Sequence, residues 1–96
     1  MSNKEIHRYK LDSTNDLGYT SYVRVDMPKG AKIVNLSWVS GDIYLHAIVN
    51  PKHDKKARWF AIYTEGMPMD DYEKKTFEYI GMTSSVPTYH IFEVHD

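Results

Sequence analysis

Cysteine is absent from all 96 residues, so neither a disulfide nor a thiolate metal site can brace the fold. No apolar run approaches the roughly 18–20 residues that a membrane-spanning helix needs. The first residues, Met1-Ser2-Asn3-Lys4-Glu5, lack the apolar stretch of a secretory signal. An excess of one charge is missing too. Twelve Lys and Arg stand against 13 Asp and Glu, which argues against a protein that coats duplex nucleic acid. The five glycines are scattered singly, so no phosphate-cradling loop exists. There is no cysteine nucleophile, no serine in a Gly-x-Ser-x-Gly elbow and no acid tied by a known pattern to a Ser–His pair. The expectation is a chain that is not an enzyme and carries neither metal nor cofactor.

What the chain has in quantity is aromatic surface: eight Tyr, two Trp and three Phe. Each aromatic ring buries about 150–250 Å², so a few of them replace many aliphatic residues. That matters because a domain of this length buries only about two-thirds of the surface it exposes when unfolded. A thin core favours a homo-oligomer, in which a shared face adds the missing burial. Tyrosine suits such a face, since its apolar ring ends in a polar group.

Hydrophobic periodicity is two almost throughout, the signature of strands. The expected strands are 6–11, 19–27, 31–39, 42–50, 57–64, 77–82 and 89–95, with a turn-rich segment at 12–18 and a charged loop at 51–56. Pro28-Lys29-Gly30 reads as a turn, and Ser40-Gly41 as a short hairpin connection. In 42–50, Ile43, Leu45, Ala47 and Val49 make one apolar face, while Tyr44, His46 and Ile48 opposite are only weakly polar. That predicts a central strand covered on both sides. A helical turn competes only at 69–75, where Asp70 and Asp71 precede Lys74 and Lys75 in the order a helix dipole favours. The fold class is therefore one all-β domain over 1–96, a compact antiparallel β-sandwich or partly open barrel of about six to seven strands.

The best candidate for contact with an anion is Lys52-His53-Asp54-Lys55-Lys56-Ala57-Arg58-Trp59. Lys52, Lys55, Lys56 and Arg58 would neutralise phosphate, Arg58 bidentately, and Trp59 or Tyr63 would stack on a base. Strand alternation sends Arg58 and Trp59 to opposite faces. The competing reading is a solvated loop whose lysines discourage strand pairing. Five histidines, His7, His46, His53, His90 and His95, have no metal-site spacing. His46 and His90 read best as packed residues, each satisfied by a hydrogen bond. The acids of 93–96 read as exposed charges at a chain end.

The order of motifs is also distinctive. Pro28-Lys29-Gly30-Ala31-Lys32-Ile33 precedes Leu45-His46-Ala47-Ile48-Val49-Asn50-Pro51; then come Gly66-Met67-Pro68-Met69, Tyr79-Ile80-Gly81-Met82 and Tyr89-His90-Ile91-Phe92-Glu93. Over 6–93 this resembles a family of small uncharacterised bacteriophage proteins. His46 stands where an aromatic is common, and Met82 where threonine is. The resemblance carries over no catalytic or ligand residue. It implies an accessory phage protein in the host cytoplasm, a homo-oligomer that sequesters a small phosphorylated ligand such as a nucleotide immune signal. The alternative is a protein-interaction module that inhibits a host protein or forms a minor structural component of the virus.

Overall fold

The computed structural model describes residues 3–11 and 22–95. Seven strands follow one another: β1 (Glu5–Leu11), β2 (Tyr22–Pro28), β3 (Lys32–Val39), β4 (Asp42–Val49), β5 (Lys55–Thr64), β6 (Thr76–Met82) and β7 (Tyr89–His95). They form two antiparallel sheets, ordered β1-β4-β3 and β2-β5-β7-β6, packed as an all-β sandwich with no closed barrel. The turn-rich segment 12–18 and the expected first residues of the second strand, 19–21, lie outside the described residues. No helix among the described residues is long and apolar enough to cross a membrane.

Alternation places the core. Ile43, Leu45, Ala47 and Val49 of β4 face inward with Leu11 of β1. They meet Val25 and Met27 of β2, Phe60 of β5 and Ile91 of β7. The β3–β4 hairpin turns on Ser40-Gly41, both at positive φ (51° and 86°) between the paired residues Val39 and Asp42. Two positive φ values give a turn whose twist matches the flanking strands, and glycine takes the second without strain.

The expectation that β4 is covered on both sides needs correction. β4 is central in its sheet, but Tyr44, His46 and Ile48 are half-buried on a face that looks to solvent. Cross-strand pairs furnish that face instead: Arg8 lies 4.4 Å from the Tyr44 ring centroid, and Ser37 Oγ is 2.8 Å from His46 Nε2. The strand covered twice is β5. Its Phe60 side faces the main core, and its Ala61 and Tyr63 join Val94 in a second buried cluster. Tyr22, Phe77, Phe92 and two methionines of the β5–β6 connection, Met67 and Met69, cover that cluster.

That connection is where the helical turn was expected, and no helix forms. Hydrogen bonds from Tyr72 N to Met69 O, and from Lys74 N and Lys75 N to Asp71 O, make successive tight turns. Tertiary contacts explain why. Met69 packs on the sheet, Tyr72 stacks on Phe77, and Asp71 accepts a 2.9 Å hydrogen bond from the Tyr22 hydroxyl. Strand β5 also starts two residues before the expected 57, because Lys55 and Lys56 extend the ladder opposite Pro28 and Met27.

The sheets approach each other closely along β3 and β6. Each of these edge strands carries an irregularity, between Ile33 and Asn35 and between Tyr79 and Gly81. A Cβ at Gly81 would sit 3.2 Å from Leu36 Cδ2, so glycine permits the approach. Gly81→Val should lower stability by about 1–3 kcal/mol through overpacking. Urea titration should show Leu36→Ala costing less in that background than in the wild type.

Partial burial, then the Asp71 hydrogen bond, holds the Tyr22 phenol well above its ordinary pKa of 10.0, and burial likewise raises Tyr63. A proton held more tightly in the folded state gives stability that is fully present below pH 10 and lost as pH rises toward the folded pKa. Thermal melts should therefore fall above about pH 10, and Tyr22→Phe should make that fall shallower.

Candidate functional site

Arg58 projects from β5 between the sheets, where Glu93 of β7 meets it. Its Nε donates to Glu93 Oε2 and its Nη2 to Glu93 Oε1, both at 2.7 Å. Its Nη1 donates at 2.6 Å to the carbonyl of Ala31, in the connection between β2 and β3. The bidentate geometry follows from register, because Phe60 pairs with Glu93 and so places the carboxylate two residues along from Arg58 on the same face. Glu93 is 6% exposed, a correction to its reading as a solvated terminal acid. The hydrogen bond to Glu93 raises the Arg58 pKa further, against a smaller opposing effect of burial.

This ion pair borders two clefts. One, of about 260 Å³, is lined by the turn Pro28-Lys29-Gly30, by Lys56, Ala57, Arg58 and Trp59 of β5, and by the end of β7 from Glu93 to His95. The β5–β7 ladder ends at Trp59 opposite Val94, so the first residues of β5 run on past the pairing and leave a notch. The other, of about 400 Å³, is lined by Ala31, Lys32, Ile33, Glu78, Tyr79 and Ile80 with the same Arg58 and Glu93.

Of the six residues singled out in the sequence, the structure brings Lys56, Arg58 and Trp59 to the first cleft. Trp59 is 45% exposed and offers a ring face. Arg58 and Trp59 do lie on opposite faces of β5. Lys52 sits in the exposed turn at 51–53, its backbone N–H bonded to Asn50 Oδ1, and Lys55 is exposed at the start of β5. Neither lines that cleft. Tyr63 is buried in the second cluster near the other end of β5, against Phe77 and Phe92, with no ring face free for a base. Lys29, Glu93 and His95 were not singled out. Only the β2–β5 and β5–β7 registers bring them together.

The remaining chemistry is limited. Ligand-type atoms of Glu78, Glu93 and His95 lie within 4.8 Å of one another. Both Glu93 oxygens accept from Arg58, however, so a guanidinium already supplies the positive charge there. His90 is paired with Tyr79 and Glu65, and His46 with Ser37, in different sheets. No carboxylate among the described residues hydrogen-bonds His46, so Ser37–His46 lacks the third group that would orient a base.

Glu93→Gln should cost about 1–3 kcal/mol, because it leaves a partly buried guanidinium without a counter-charge while keeping one acceptor oxygen. Replacing both partners together, Arg58→Met with Glu93→Leu, should recover most of that loss in chemical denaturation.

A family model described as a domain of unknown function, DUF7352, matches residues 2–96, and the chain belongs to that family. No curated protein and no solved structure matches it.

Proposed function

We propose that this member of the DUF7352 family is a non-enzymatic phage accessory protein that captures a small phosphorylated ligand, such as a nucleotide immune signal, in the host cytoplasm. The observation that carries the reading is the convergence of Lys29, Lys56 and Trp59 on one cleft. Lys56 shares Arg58's face of β5 and Trp59 takes the other, so a nucleotide would lie across the unpaired start of the strand, with Lys29 and Lys56 offering charge to its phosphate and the exposed indole a stacking face to its base. Arg58 takes a different part from the one its sequence suggests. With its guanidinium committed to Glu93 and the Ala31 carbonyl, it forms a rigid wall and leaves the lysines to meet the anion.

Size narrows the ligand. A volume of about 260 Å³ lies just below the roughly 300–1,000 Å³ typical of enclosed small-molecule sites, which favours a single nucleotide unit held with part of it in solvent. The order of motifs shared with small phage proteins supports the biological setting.

The test is a thermal-shift panel of nucleosides, mononucleotides and cyclic dinucleotides, followed by calorimetry. Phosphorylated ligands should raise the melting temperature and nucleosides should not. Trp59→Ala should weaken binding by about 1–3 kcal/mol, the worth of one base stack, and Lys56→Ala should weaken it with a reduced salt dependence. No shift with any nucleotide at saturation would overturn the reading, and recovery of one stoichiometric host protein instead would favour an interaction module.

A further inference from the structure

The two sheets leave four edge strands, β1, β3, β2 and β6. An unpaired edge invites another strand, and proteins usually blunt it with bulges, charge or cover. The β3 and β6 edges carry irregular registers and meet along the Leu36–Gly81 seam. β1 and β2 have unbroken registers, and among the described residues their edges carry charged side chains instead of a bulge. Among the described strands, β2 hydrogen-bonds to β5 alone.

We infer that two copies of this chain pair through β2, antiparallel, about a two-fold axis at Val25. This register sets Arg24 of each copy opposite Asp26 of the other, Val23 opposite Met27, and Tyr22 opposite Pro28. The charges are self-complementary: Arg24 and Asp26 share the outer face, are both exposed, and are already 3.1 Å apart within one strand. Directly opposed unlike charges favour a strand pair, and like charges oppose it. Val23 and Met27 lie on the inner face, so pairing would extend the apolar core across the axis. Pro28 has no N–H to offer and falls at the end of the ladder, where none is needed.

The same operation on β1 fails. A two-fold axis at Arg8 sets two guanidinium groups against each other, with Ile6 opposite Lys10. Charge therefore selects β2 over β1. The dimer joins the two four-stranded sheets into one of eight strands with closed symmetry. Antiparallel pairing carries the two Lys29 turns to opposite ends of the shared ladder, so the assembly does not require the ligand.

Sedimentation equilibrium and native mass spectrometry of the full chain test this with a charge swap. The wild type should be a dimer. Arg24→Asp should give a folded monomer by circular dichroism, because it sets one carboxylate against another at both symmetry-related pairs. Asp26→Arg should do the same with two guanidinium groups at each pair. The double variant Arg24→Asp/Asp26→Arg restores unlike pairs and should be a dimer again. A monomeric wild type overturns the inference. So do single variants that remain dimeric, which would place the interface on β1 or elsewhere, and a double variant that stays monomeric.

Discussion

The Arg58–Glu93 pair ties together parts of the molecule that are far apart in the chain. It joins β5 to β7 across 35 residues and, through the Ala31 carbonyl, ties the β2–β3 connection to the four-stranded sheet. Bringing two charges between sheets costs desolvation that their attraction roughly repays, so the pair adds little net stability. Its importance is geometric. Each of the three Arg58 side-chain nitrogens donates one hydrogen bond, which fixes the guanidinium's orientation, and no buried side-chain polar atom of the described residues is left without a partner. The two clefts on either side inherit that rigidity.

The sheets are unequal in a way that suits a chain with no disulfide. The three-stranded sheet buries one face and leaves the other to polar cross-strand pairs, among them Lys10–Asp42 at 3.6 Å. The four-stranded sheet buries its inner face and part of its outer one, using the β5–β6 connection as a partial third layer. Aromatic contacts hold that layer: Phe77 lies within about 6.5 Å, centroid to centroid, of Tyr22, Tyr63, Tyr72 and Phe92. A main core of ten buried residues on one side of β5 and a smaller cluster on the other thus share the burial among the described residues.

Much of this was legible along the chain. Alternation at Ile43, Leu45, Ala47 and Val49 marked the inner face of β4, and all four are buried. Ser40-Gly41 marked the tightest hairpin, because glycine accepts the positive φ that the turn demands. Two of the misreadings share one cause. Half-polar residues opposite an apolar face look the same whether another layer or only solvent covers them. Tyr44 and His46 were therefore expected to be covered, while Tyr63, taken for a stacking surface, is buried. Glu93 near the end of the chain looked like an ordinary solvated acid until the β5–β7 register set it beside Arg58.

By itself, then, the sequence determined the all-β class, the approximate positions of the strands, the hairpin turn, and the opposite directions of Arg58 and Trp59. These depend on backbone preference and a period of two, which act between near neighbours. Only the tertiary structure decided which strand is covered twice, that Arg58 is spent on Glu93, and that Lys29 joins Lys56 and Trp59 around a cleft. Each of those depends on strand order and register, which long-range packing sets and no local pattern records.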